Sequence, residues 1–274
     1  MADDAVGAKE FELADANYVR VLETNLLHAS DVIYWLDGST ASNVADMTRI
    51  GAPLQITFSE KPRAVKFLHT AGKAAFWQTP TEPMVAGYAT EAQRVRPAVP
   101  NFAVAGQVSD PRGRYNPQLF SLTLGAGNGQ AVVLYPSPPA VKLVPAGIIQ
   151  GRIVIEATQL PLSWGVLTLT VTVALGETIS FRGQTDAKGD FVIALTRLPP
   201  LPLSVTNYAA VLRIDGDLTA TATKLIKLAD LVAIELESST AGGVFATEIP
   251  LAITPGEIKR IKSLSKSYIA VRSI

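Results

Sequence analysis

The sequence contains no cysteine, which excludes disulfide bonds, thiolate metal sites and a cysteine nucleophile. Histidine is nearly as scarce, because His28 and His69 are the only two. Neither lies near a G-x-S-x-G motif, and the chain has no such motif, so nothing predicts a serine hydrolase triad. Two isolated histidines are also a poor basis for a zinc site. We therefore predict a protein that is not an enzyme, with no catalytic residues, no metal and no cofactor.

The chain also lacks an excess of charge of either sign, since 24 basic residues balance 24 acidic ones. A nucleic-acid partner is not expected, because proteins that bind nucleic acids normally present a basic face. Zero net charge removes the mutual repulsion that keeps subunits apart, so association with other proteins, or with further copies of the same chain, is permitted.

Long apolar runs are missing as well. The stretch WGVLTLTVTVAL (164–175) is too short for a membrane span and is interrupted by threonines. The start, MADDAVGAKEFELADANYVR, is acidic and has no apolar core of the kind found in secretory signals. We therefore expect no membrane span and synthesis in the cytoplasm.

Apolar residues, glycine and proline are plentiful: 48% of the chain is hydrophobic, with 20 glycines and 18 prolines spread along its length. Glycine and proline residues distributed in this way are typical of proteins with many short strands. Strand-like runs occupy 31–37, 52–58, 63–69, 73–79, 101–110, 118–125 and 130–135 in the first half, and 147–156, 164–175, 178–185, 190–198, 208–215 and 266–274 in the second. Asn128-Gly129 between two such runs predicts a hairpin.

The proline-rich stretch PSPPAVKLVP (136–145) predicts an extended spacer outside the sheets. It divides the chain into an N-terminal arm (1–30), a first domain (31–140) and a second domain (145–274). The interval 223–236 fits either a helix or a strand. The predicted fold is all-β: two β-sandwich domains with an N-terminal arm and at most one short helix.

The stretch TDAKGDFVIAL (185–195) poses a choice between a metal site and a turn. A calcium loop needs several oxygen ligands and a later glutamate. Here Lys188 occupies a ligand position, Gly189 precedes Asp190, and no glutamate follows at the required distance. We therefore predict a turn, in which Asp186 accepts hydrogen bonds from backbone amides and Gly189 adopts a positive φ.

The stretch DPRGRYNP (110–117) offers the best candidates for contact with another protein: Arg112, Arg114 and Tyr115. A planar guanidinium beside an aromatic ring is a good docking element. The alternative is a surface turn in which Arg114 stacks on its own domain. Trp35, Trp77 and Trp164 lie in strand-like runs and are predicted to be core residues.

From Gly147 to Asp215 the order of motifs resembles the carboxypeptidase regulatory-like (prealbumin- or transthyretin-like) β-sandwich. The resemblance depends on four motifs in order. An opening Gly-x-Val-like strand is Gly151–Ile153, a Pro-hydrophobic pair is Pro161-Leu162, and a β-rich strand is Val166–Val173. A T-D-x-x-G-x-F-x-hydrophobic motif follows, made by Thr185, Asp186, Gly189, Phe191 and Ile193. Gly106-Gln107-Val108 with its downstream DPRG is similar to Gly151-Arg152-Ile153 with its downstream DAKG, which suggests two related sandwiches.

A wider likeness runs over about residues 30–215, through FWQTP, D-x-x-G-R-Y-x-P, LYPSP, VPAG and WGV. This order resembles two-sandwich proteins encoded with phage-tail-like contractile injection systems. The resemblance implies a non-enzymatic structural or adaptor component of a multi-subunit particle, which contacts other subunits after its synthesis in the cytoplasm. The alternative is a β-sandwich module that binds carbohydrate or a cell surface, for which a row of exposed aromatic side chains is expected.

Overall fold

The computed structural model describes residues 29–78, 101–125, 129–173, 176–203 and 205–274. Most of the predicted N-terminal arm, His28 and Asn128 lie outside these residues. The described chain forms eighteen strands and three short 3-10 turns. The strands are β1 (Ala29–Asp37), β2 (Thr48–Arg49), β3 (Gln55–Glu60), β4 (Val65–Thr70), β5 (Lys73–Gln78), β6 (Phe102–Ser109), β7 (Gln118–Leu124), β8 (Gln130–Leu134), β9 (Ile148–Ile155), β10 (Val166–Thr172), β11 (Thr178–Gln184), β12 (Asp190–Ala194), β13 (Tyr208–Gly216), β14 (Val232–Glu237), β15 (Phe245–Ala246), β16 (Glu248–Ile253), β17 (Ile258–Ile261) and β18 (Ile269–Arg272). The all-β prediction is confirmed.

The first half consists of two packed sheets. One sheet has the order β2-β1-β5-β4, with β8 added in parallel on the other side of β1, and the second has the order β3-β6-β7. Period-2 alternation sends one set of side chains inward from each strand, as the buried-exposed pattern of β6 shows. Trp35 and Phe76 from the larger sheet meet Val104 and Phe120 from the smaller one in a shared core.

One predicted pairing is wrong. β7 and β8 do not form a hairpin, because β8 pairs in parallel with β1, from Ile33–Gln130 to Asp37–Leu134, while β7 pairs with β6. The two strands therefore belong to different sheets. A turn signal reports a local reversal of the chain and cannot report which sheet the next strand joins.

The prediction that 136–145 lies outside the sheets is confirmed, since these residues contain no strand but only an isolated bridge from Pro136 to Tyr115 and the short 3-10 turn Pro138–Ala140. The structure also settles the ambiguous interval 223–236. A 3-10 turn at Leu228–Asp230 leads into strand β14, so the interval contains no α-helix. The placement of the domain boundaries at 140 and 145 stays a prediction.

The second half consists of one continuous sheet of ten strands, which folds over so that its two parts pack face to face. The path is β11-β10-β13-β14-β18-β9-β12, with β16 on β13, β17 on β9 and β15 on β14. β14 joins the two layers because it pairs with β13 at Ile214–Gly216 and with β18 near Leu236. Leu169, Phe181 and Leu212 from one layer pack with Phe191 and other residues of the opposite layer in a second core. Within the described ranges, no helix is long and apolar enough to cross a membrane.

Candidate functional site

The turn after β6 is organised by the buried carboxylate of Asp110. One carboxylate oxygen accepts the backbone N–H of Arg112 at 2.9 Å, and the other accepts the Arg114 Nε at 2.8 Å and the Arg114 backbone N–H at 3.2 Å. Gly113 completes the turn at φ 65°, donating its N–H to the Asp110 carbonyl. The DPRGR stretch is therefore held in one conformation by a single aspartate.

Opposing influences act on the pKa of Asp110. Burial of the carboxylate favours the neutral acid, but hydrogen bonds from the Arg114 side chain and the Arg112 amide, together with the Arg114 charge, outweigh burial and lower the pKa below its usual value. A carboxylate whose pKa is lowered on folding stabilises the protein above the pKa it has when unfolded. That stability is lost as the pH falls towards the folded pKa.

We expect Asp110→Asn to lower the free energy of unfolding by about 2 kcal/mol at pH 7, because charge-assisted hydrogen bonds are replaced by weaker ones. The difference between wild type and variant should shrink as the pH falls from about 5 to 3, since the carboxylate of the unfolded wild-type chain takes up a proton there before the folded one does. Urea denaturation across this pH range measures both effects. Asp230→Asn, which alters an exposed carboxylate, is the control. A difference that stays constant down to pH 3 would contradict this assignment.

Tyr115 is tied to the end of β1. Its half-buried ring packs against the first core, and its hydroxyl donates to Asp37 Oδ2 at 3.0 Å. Burial, with the adjacent Asp37 charge and this hydrogen bond, raises the pKa of Tyr115 well above its usual range, so the phenol stays protonated. The remaining oxygen of Asp37 accepts the Ser39 hydroxyl at 2.6 Å.

Arg114 and Tyr115 line a cleft of about 390 Å³ between the two halves of the chain, which we call the junction cleft. Arg112 is exposed and is not among the residues of its wall. The guanidinium of Arg114 is paired with Asp110, and no Arg114–Tyr115 stacking contact occurs in the described residues. The three candidates thus have different surroundings, with two of them facing one concave surface.

The wall of the junction cleft carries two further cations, Lys142 from the spacer and Arg182 from β11. Neither forms an ion pair with a carboxylate in the described part of the chain. The Arg182 side chain interacts with the buried Tyr135 hydroxyl, while its Nε is buried without a hydrogen-bond acceptor there. Asp37 is the acidic residue of the cleft wall, and its oxygens already accept hydrogen bonds from Tyr115 and Ser39. The cleft is therefore positively charged, and the Arg182 Nε is a donor that no described residue satisfies.

Buried hydrogen bonds fix the two sides of the cleft relative to one another. Asn116 Nδ2 donates to Gln184 Oε1 and to the Thr185 carbonyl, each at 3.2 Å, and Gln118 Nε2 donates to the Ile226 carbonyl at 2.9 Å. All the side chains involved are at most 3% exposed. Buried polar groups that satisfy one another specify one arrangement, because breaking the contact would leave them unpaired.

Sequence reasoning missed Lys142, Arg182, Asn116 and Gln118. Arg182 follows the buried Phe181 in an alternating strand, which indicates only an outward side chain. Asn116 lies just before β7 and Gln118 is its first residue, and polar residues there are typical of a surface position. No pattern in the sequence distinguishes an exposed polar residue from one buried against a second core.

The turn predicted at 185–190 is confirmed. Asp186 Oδ1 accepts the N–H of Lys188 at 2.7 Å and that of Asp190 at 3.0 Å, and Gly189 has φ 76°. Both the acceptor role of Asp186 and the positive φ of Gly189 are as expected. No cluster of three or more potential metal ligands occurs in the described residues.

The remaining aromatic and histidine residues have structural surroundings. His69 is half-buried with its ring edge-on to Trp35, and burial lowers its pKa. Trp35 and Trp164 are buried as predicted, while Trp77 is only half-buried. The row of exposed aromatic side chains expected of a carbohydrate-binding face does not occur in the described ranges, where Phe67 is the one aromatic residue in the exposed class.

The sequence matches no protein family and no curated protein. Two solved structures show a weak likeness. The Bacillus anthracis TIE protein is 12% identical, with a TM-score of 0.25 over 89% of this chain and 34% of the other. The Streptococcal ancillary pilin is 9% identical, with a TM-score of 0.22 over 90% of this chain and 63% of the other. The chain thus spans less than two thirds of each, and at these TM-scores the likeness carries no argument about function.

Proposed function

We propose that this chain is a non-enzymatic structural or adaptor subunit of a multi-subunit particle. The observation that carries the proposal is the junction cleft, where Arg182 and Lys142 face a concave surface without a carboxylate partner in the described residues. A carboxylate of a neighbouring subunit would supply the missing acceptors, and an arginine binds a carboxylate through two parallel hydrogen bonds.

The rigidity of the cleft supports the same proposal. Binding costs less when the surfaces are already ordered, since less conformational freedom is lost on association. The buried hydrogen bonds of Asn116 and Gln118 hold the cleft walls before any partner arrives. Electrostatic complementarity of this kind mainly sets the choice of partner and the rate of encounter.

The kind of particle we propose is a phage-tail-like contractile injection system, with a second sandwich of the carboxypeptidase regulatory-like type. The support is the order of motifs in the sequence, including the confirmed Asp186–Gly189 turn. The subunit would be made in the cytoplasm and then join the assembled particle. Because the net charge is zero, copies of the chain do not repel one another, and we propose that the subunit also contacts further copies of itself.

The double variant Arg182→Gln/Lys142→Gln tests the proposal. It removes two positive charges from the cleft while keeping polar side chains of similar reach. We expect the chain to be retained in purified particles at least tenfold less well than wild type, with the largest difference at low salt. The control Lys227→Gln/Lys262→Gln removes the same charge from exposed residues outside the cleft wall. Equal retention of both folded variants would contradict the proposal.

A further inference from the structure

Strand β4 leaves one side of its backbone unpaired in the described chain. It pairs with β5 from Val65–Gln78 to Thr70–Lys73, and no second neighbour lies beside it among the described strands. Exposed sheet edges are liable to pair with other chains, and proteins normally cover or blunt them. This edge also carries apolar surface, because Leu68 is 59% exposed and Phe67 is 38% exposed.

The chemistry of this edge is basic and aromatic. Residues 60–73 contain Lys61, Arg63, Lys66 and Lys73 against one acid, Glu60, which gives a net charge of +3. The ring of Phe67 lies 4.8 Å from that of Phe58 on β3, and stacks at 5.9 Å on Phe76 of β5. A suitable occupant is therefore an extended segment with alternating apolar residues and a negative charge.

The first 28 residues of the same chain have this composition. They hold six acidic residues against Lys9 and Arg20, a net charge of −4. The stretch YVRVLE (18–23) is rich in β-branched and aromatic residues and ends in an acid. We propose that residues 18–23 of the chain pair with the open edge of β4 in the same molecule, antiparallel to it.

The geometry of the sheet sets the direction of this pairing, and the chemistry of the facing residues selects its register. Ala29 at the start of β1 lies beside Trp77, which lies beside Lys66 at the start of β4. A strand on the outer edge of β4 is three strand spacings from β1, about 14 Å. Residues 24–28 span up to about 16 Å when extended, so they reach β1 only from the end of β4 at which Lys66 lies.

In this register, Glu23 lies opposite Lys66, Leu22 opposite Phe67, and Val21 opposite Leu68. The charged pair and the Val21–Leu68 pair share the outer face, since successive side chains alternate between faces. The Leu22–Phe67 pair lies on the inner face, beside the Phe58 ring. Each cross-strand pair thus joins side chains of compatible chemistry.

The absence of cysteine from the chain allows a direct test by disulfide trapping. Val21→Cys with Leu68→Cys should form a disulfide within one molecule, seen as loss of both free thiols without a dimer band on a non-reducing gel. Val21→Cys with Leu160→Cys is the matched control, because Leu160 is 58% exposed but lies in the second half of the chain. The control should keep its thiols free.

A charge swap gives a second measurement that does not depend on introduced thiols. Glu23→Lys or Lys66→Glu alone should lower the hydrogen-exchange protection of the β4 amides roughly fivefold, and the double swap should restore it. A disulfide that appears only between molecules, free thiols in the Val21–Leu68 variant, or single swaps that leave protection unchanged would each overturn the proposal.

Discussion

Gly189→Ala is expected to lower the free energy of unfolding by about 3 kcal/mol, through two effects that act together. Gly189 has φ 76°, a left-handed conformation that a residue with a Cβ adopts only at a cost. An added Cβ would also collide with the carbonyl oxygen of Ile153, and would lie 3.1 Å from Pro161 Cβ. The backbone there cannot move freely, because the Ile153 N–H donates to the Gly189 carbonyl at 2.9 Å.

Gly113→Ala separates these two effects. Gly113 has a similar φ of 65°, but an added Cβ would meet nothing within 4 Å. This variant should pay only the conformational cost, about 1 kcal/mol. Chemical denaturation of both variants gives the comparison. If the two variants lose equal stability, the turn can shift away from Ile153 at no cost. That result would contradict the collision between the added Cβ and the Ile153 carbonyl oxygen.

Trp35→Ala is expected to lower the free energy of unfolding by about 4 kcal/mol, because it removes the largest fully buried side chain of the first core. The indole contacts His69 edge-on at 6.5 Å and Phe120 at 5.9 Å between ring centroids. Trp35→Phe should cost much less, about 1 kcal/mol. The reason is that the buried indole N–H has no acceptor among the described residues, so its removal relieves an unpaired donor.

Thermal or urea unfolding of the two Trp35 variants measures this difference. Phe76→Leu, a milder change to a residue that is also fully buried in this core, provides a scale for the loss of packing alone. If Trp35→Phe is as damaging as Trp35→Ala, the indole N–H makes a stabilising interaction and the account of this core is wrong.

The strands were the most predictable part of the fold. β6 and β13 alternate between buried and less buried residues along their whole length, and this alternation is visible in the sequence. β16 is not among the predicted strands, and Pro250 lies within it. Proline is tolerated there, since β16 pairs with β13 on one side only in the described topology.

Pairing between strands was far less predictable. β8 lies parallel to β1, and β17 and β18 both lie parallel to β9, from which they are distant in sequence. Alternation reports which side chains point inward, but it holds no information about the neighbouring strand. For this reason the sheets could be anticipated while their strand order could not.

The candidate site was only partly predictable. DPRGRYNP was predicted because a planar guanidinium beside an aromatic ring is a good docking element, and two of its three candidates line the junction cleft. The further cations of the cleft are Lys142 and Arg182, which are separated from that motif by tens of residues. The junction cleft forms where segments that are distant in sequence come together. No local pattern in any one of these segments predicts it.

The most direct test of the central claim is the native mass of the material that contains this chain in its own cells, combined with deletion of the gene. Light scattering and negative-stain imaging of the tagged protein give the mass and the shape. We predict an assembly many times larger than the 29.1 kDa chain, and a defective or missing particle after deletion. A monomer of 29.1 kDa, together with intact particles in the deletion strain, would contradict the account.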